Sequence, residues 1–175
     1  MAKIKDLVIP FSGMKEGNYS FSVELGDTFF ESLEFSEIKK GEIKVEIEMV
    51  RGQNMLNLDI AINGNVELIC DRCGNTYPQP IEDERAMVVN IDADHFEDED
   101  DLISLPSSYN DLDLTQYIYE YISLAVPAKL VCPDNIGCDP DVISKLDQLK
   151  PGEQSGDDQP TDPRWDALKN LKDNN

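Results

Sequence analysis

The sequence predicts an α+β fold: an antiparallel β-rich N-terminal half and a C-terminal helical half, joined by a suspected metal site. Three observations predict it. Apolar and polar residues alternate with a period of two through much of residues 43–62. From Asp113 the apolar residues recur at helical spacing instead. Four cysteines fall as two local pairs, one in each half.

The β half opens with residues 4–11 (IKDLVIPF) and 19–25 (YSFSVEL), short runs of strand formers broken by Ser12-Gly13 and Glu16-Gly17-Asn18. Ile43, Val45, Ile47 and Met49 then alternate with Glu42, Lys44, Glu46 and Glu48, which marks a strand with one wet face. Arg51-Gly52-Gln53-Asn54 supplies a turn, and alternation resumes at Leu56, Leu58, Ile60 and Ile62, so the two segments pair as a hairpin. After a break at Asn63-Gly64-Asn65, the run Val66–Ile69 leads into Cys70-Asp71-Arg72-Cys73-Gly74. Asn75–Pro80 reads as a second turn and Arg85–Ile91 as a returning strand, which puts the first cysteine pair at a hairpin tip.

In the helical half, Leu114, Tyr117, Ile118, Tyr121, Ile122 and Ala125 share one helix face, with Asp113 and Gln116 resembling a capping box. The helix must end before Pro127, because proline disfavours helical geometry at the residue preceding it. Its tyrosines read as a core-facing stripe rather than a base-stacking platform. Leu130-Val131 delivers Cys132, and Pro133–Gly137 forms a loop to Cys138. Asp139 and Pro140 then provide an N-cap and first turn for a helix whose stripe is Val142, Ile143, Leu146 and Leu149, stopped by Pro151-Gly152. Residues 1–150 therefore read as a single domain, 151–161 (PGEQSGDDQPT) as a flexible acidic linker, and 162–175 as a short helix carrying Trp165, Leu168 and Leu171. That helix either docks on the domain or presents its tryptophan to a partner.

Composition limits the function. With 15 basic and 36 acidic residues the formal charge is −21. Nucleic-acid binding draws its affinity from cations that neutralise phosphates, so a broad DNA- or RNA-binding face is disfavoured and a basic protein is the better electrostatic match. Residues 92–101 (DADHFEDEDD) concentrate seven carboxylates, read as a solvated loop or as a docking surface for that partner. They lack the glycine and terminal glutamate spacing of an EF-hand. No signal peptide and no membrane span are expected, which makes the cytoplasm the expected location, where thiols stay reduced. One histidine and the absence of nucleophile-elbow, P-loop and dinucleotide-binding motifs argue against an enzyme.

The chemistry therefore rests on the cysteines. Cys70 and Cys73 span an edge of a zinc tetrahedron, and Gly74 permits a tight turn that aims backbone N–H groups at the sulfurs. With Cys132 and Cys138, after 58 intervening residues, they make a four-thiolate structural site. The second pair is spaced more widely than the usual C-x(2–4)-C, so either a longer loop closes the site or His95 replaces one thiol. The alternatives are a C-x-x-C redox couple, opposed by the acidic surroundings and the lack of a helix N-terminus, and inert cysteines.

The order of these features resembles one family. A β-rich half ending in C-x-x-C, a long spacer, a helix leading to LAVPAKLVC, a second cysteine pair and a tail like DPRWDALKNLK are similar to the YceD family of large ribosomal RNA subunit accumulation proteins. The resemblance covers nearly the whole chain. It implies a role in accumulating or processing large-subunit ribosomal RNA, with Cys70, Cys73, Cys132 and Cys138 as the matching metal-binding positions. The reading is thus a non-catalytic zinc-binding protein of large-subunit biogenesis that acts through a basic ribosomal or ribosome-assembly protein. Direct contact with RNA is left open. An acidic mimic of nucleic acid that occupies a basic protein, or a C-x-x-C thiol redox protein, is the alternative.

Overall fold

The structure is a computed structural model that describes residues 7–91, 102–106, 108–134 and 136–150. The chain divides into two units, Met1–Asp139 and Pro140–Asn175. The first is α+β. Its main sheet has five strands in the order β2-β3-β4-β5-β6: β2 (Gly17–Leu25), β3 (Gly41–Arg51), β4 (Met55–Ile69), β5 (Thr76–Ile91) and β6 (Leu102–Leu105). All neighbours are antiparallel except β5 and β6, which run parallel. β1 (Val8–Ile9) and β7 (Leu112–Asp113) form a separate two-stranded pair. Among the described residues this unit also has two helices, α1 (Asp27–Ser32) and α2 (Thr115–Ala125).

Alternation sets the sheet's two faces. Ile43, Val45, Ile47 and Met49 of β3 and Leu56, Leu58, Ile60 and Ile62 of β4 are all buried, while Glu42, Lys44, Glu46 and Glu48 face outward. At about 25 cal/mol per Å² of apolar surface, this row of side chains is the main driving force for the fold. Leu114, which caps α2, and Ile118, Tyr121 and Ile122 within it join the same core. α1, too short for a periodic signal in the sequence, adds Phe29 and Phe30, whose rings meet edge to face at 5.1 Å.

Three local expectations are corrected. Asn63-Gly64-Asn65 is no break: β4 runs through it without interruption, and Gly64 pairs with Ile43 and Ile81. A Cβ at Gly64 would lie 2.1 Å from the Glu42 carbonyl oxygen, so glycine is needed there for close backbone approach. Likewise Asn75–Pro80 is no turn beyond its first residue, because β5 begins at Thr76 and includes Pro78 and Pro80. Proline lacks an N–H and survives in a sheet only where that position faces an open edge. β6 pairs only with Val88–Ile91, which leaves the proline segment of β5 such an edge. The capping box is half made: the Asp113 carboxylate accepts from the Thr115 N–H at 3.1 Å, but Gln116 donates forward to Glu120 at 2.8 Å.

In the second unit, α3 (Pro140–Leu149) starts at the expected proline, and none of its residues is buried. The acidic run 92–101 with His95, the linker 151–161 and the helix expected over 162–175 lie outside the described residues. Among the described residues, no helix is long and apolar enough to cross a membrane.

Candidate metal centre

The long β4–β5 hairpin carries the first cysteine pair at its tip. Ile69 closes the ladder opposite Thr76, and residues 70–75 turn the chain. The Gly74 N–H donates to the Cys70 carbonyl at 2.9 Å, and the Cys70 N–H to the Asn75 carbonyl at 2.9 Å. Gly74 sits at φ 76°, the left-handed region that a side chain resists. It therefore shapes the turn as expected, but its N–H is spent on a carbonyl and not on a sulfur.

The second pair reaches the same place from the loop after α2. Two hydrogen bonds dock that loop on the hairpin tip: the Asp71 N–H donates to the Leu130 carbonyl at 2.7 Å, and the Leu130 N–H donates to Asp71 Oδ2 at 3.1 Å. The five intervening residues are absorbed by a turn in which Ile136 and Gly137 both donate to the Pro133 carbonyl, at 3.0 and 2.9 Å. Gly137 adopts φ 72° and brings Cys138 back. Sequence spacing counts residues and not distance, and this turn is the longer loop that the wide C-x(5)-C gap called for.

All four sulfurs lie within 4.8 Å of one another. Cys70 Sγ is 3.8 Å from Cys138 Sγ, and Cys73 Sγ is 3.7 Å from Cys132 Sγ. Four sulfurs bound about 2.3 Å from a central zinc form a tetrahedron with edges of about 3.8 Å. Each measured edge joins one hairpin cysteine to one loop cysteine. All four are free thiols, far beyond the roughly 2.05 Å of a disulfide. The donor set and its spacing fit a tetrahedral thiophilic ion such as zinc.

Backbone amides already favour one thiolate. Burial alone pushes the Cys70 thiol up, but the amides of Cys132, Cys73 and Arg72 outweigh it and bring its pKa down to about 6. The Cys132 N–H approaches that sulfur at 3.4 Å. Burial and the neighbouring sulfurs of Cys70, Cys73 and Cys138 push Cys132 up to about 12, and burial also raises Cys138. Four crowded thiols cannot all ionise without a cation among them. The thiolate of Cys70 arises without the helix N-terminus whose absence seemed to oppose one. Tyr77 is buried; among the described residues its hydroxyl has no hydrogen-bond partner, and its pKa is raised by burial and by the charges of Cys70, Cys132 and Asp71.

The model of the family described as large ribosomal RNA subunit accumulation protein YceD matches residues 58–172, well over half of the chain. The chain belongs to the YceD family. The YceD match begins inside β4 and contains all four cysteines, the hairpin tip and α2, while β2 and β3 lie before it. Comparison with curated proteins and with solved structures found no match. Membership carries a role in large ribosomal RNA subunit accumulation. The contact between Asp71 and Leu130, which locks this YceD site together, was missed in the sequence, where Leu130 read only as delivering Cys132. The one available signal was the place of Asp71 inside the C-x-x-C.

Proposed function

We propose that this protein is a non-catalytic, zinc-stapled factor in accumulation of large-subunit ribosomal RNA, working in the cytoplasm through a basic ribosomal or assembly protein. The observation that carries the metal reading is the pair of opposite sulfur edges, 3.8 and 3.7 Å, each crossing from hairpin to loop. Cys70, Cys73, Cys132 and Cys138 would hold the ion, and it would supply charge neutralisation and a cross-link in place of additional core. Asp71 and Leu130 hold the two segments in register, and the amides around Cys70 stabilise its thiolate. The basic partner follows from the formal charge of −21.

Thiol redox chemistry is the weaker reading despite the low pKa of Cys70. An attacking thiolate must be reached, and Cys70 is only 2% exposed.

Two measurements test the proposal. Protein purified without added zinc should contain about one zinc per chain, and a Cys70→Ser variant far less. Wild-type protein that purifies without bound metal and gains no thermal stability from added zinc would refute the staple. Cells lacking the protein should accumulate less large-subunit than small-subunit ribosomal RNA, and the wild-type protein should co-sediment with large-subunit precursors. Unchanged ratios with no co-sedimentation would refute the role.

A further inference from the structure

The outward face of the β2–β5 sheet carries a trough that plays no part in the metal site. Among the described residues, only strands β2–β5 line the open trough of about 730 Å³ that crosses it, floored by Ala61 and Ala86 and walled by Glu46, Glu48, Asp59 and Glu84; Arg85 also lines it and is ion-paired with Asp83 at 2.7 Å. Strand register places Glu48 directly opposite Asp59. Like charges directly opposed across a strand pair destabilise a sheet, so the fold gains nothing from this arrangement. Lys44 pairs with Glu46 at 2.7 Å. Among the described residues, Glu48, Asp59 and Glu84 have no ion pair.

The geometry also selects the kind of cation. Among the described residues only the four cysteines bring three or more potential ligands close enough to share one ion, and these carboxylates form no such cluster. Strands about 4.8 Å apart instead spread them over a grid. That grid suits several separate cationic side chains, and lysines or arginines on one face of a helix or extended segment have comparable spacing. Nucleic acid and a second copy of this chain are both repelled by the same charge.

We infer that the outward face of the β2–β5 sheet is a docking trough for a lysine- or arginine-bearing segment of a basic protein, with Glu48, Asp59 and Glu84 as its main contacts. The inference rests on the reading that the protein works through a basic partner, and names the surface used. Alanine at positions 61 and 86 keeps the floor low enough for the partner's aliphatic stems to lie against it, while the carboxylates meet the charged ends.

Titration of a fluorescent oligolysine peptide into zinc-loaded full-length protein at near-physiological salt tests this. A triple variant, Glu48→Gln with Asp59→Asn and Glu84→Gln, removes three charges while keeping side-chain size. A control variant, Glu31→Gln with Glu34→Gln and Glu37→Gln, removes three charges from α1 and the loop after it, outside the trough. The trough variant should bind about tenfold more weakly and the control within about twofold of wild type. Amide resonances of Ala61 and Ala86 should shift during the wild-type titration. Equal weakening in both variants, weakening in neither, or shifts that spare the sheet would overturn the inference. Co-sedimentation of the wild-type protein with large-subunit precursors is read separately, so the trough and the broader role can fail independently.

Discussion

Cys70 and Cys138, 68 positions apart in the chain, bring their sulfurs to within 3.8 Å of each other. The hairpin tip and the end of the loop after α2 thus meet at a distance that a disulfide cannot span and a tetrahedral ion matches. Cys138 should therefore matter as much as Cys70. Cys138→Ser, or treatment with a strong chelator, should lower the melting temperature by on the order of 10 °C, and added zinc should restore only the chelated wild type. A Cys138→Ser variant that keeps its full metal content would show that three thiols suffice.

Asp71 would act on a metal held by the four cysteines through geometry. Asp71→Ala deletes the acceptor for the Leu130 N–H, whereas Asp71→Asn retains a carbonyl oxygen in its place. Competition with a chromophoric chelator should show metal affinity reduced about tenfold in the alanine variant and little changed in the asparagine variant. Equal affinities in all three proteins would assign Asp71 to surface packing alone.

The thiols give the metal-free protein a distinctive pH dependence. Cys70 has a pKa depressed to about 6 from 9.0, so the stability it contributes is complete above pH 9 and is lost as pH falls toward 6. Cys132, raised to about 12, contributes below pH 9 and loses that contribution as pH rises toward 12. These two groups together place a stability maximum near pH 9. Melts of chelated protein from pH 6 to 11 should show it, and Cys70→Ala should abolish the rise between pH 6 and 9. Zinc should be released as acid protonates the thiolates.

Gly64 offers a test of the fold apart from the metal. An alanine Cβ there would meet backbone atoms, Glu42 O at 2.1 Å and Ile43 Cα at 2.8 Å, which cannot move without shifting β3. Gly64→Ala should cost about 3 kcal/mol or more in urea unfolding. Gly13→Ala, where a Cβ meets nothing within 4 Å, should stay within about 0.5 kcal/mol of wild type.

The contrast between those two glycines shows what the sequence could and could not reveal. Ile43 to Met49 and Leu56 to Ile62 declared their strands because burial on one face leaves a period of two, and the stripe from Leu114 to Ile122 declared α2 in the same way. Gly64, Pro78 and Pro80 misled because their local preference is for turns, whereas strand pairing across the β3–β4–β5 ladder decided their state. α1 offered only six residues, fewer than two turns, and so no period to detect. The cysteines announced their chemistry by type and pairing. Their convergence depended on the local Pro133 turn together with the Asp71–Leu130 bridge, a contact between positions that no local window contains.

Pro78 and Pro80 alternate along β5 opposite Glu67 and Asn65, so neither ring nitrogen can face β4 without forfeiting a ladder bond. Both must point outward, and two successive donor sites on that border are therefore blank. A stray strand arriving there, from a neighbouring copy or an unfolded chain, would find carbonyls but no hydrogens with which to register. The long arm that carries the thiols can thus stay extended in a crowded cell without seeding fibres from its own flank.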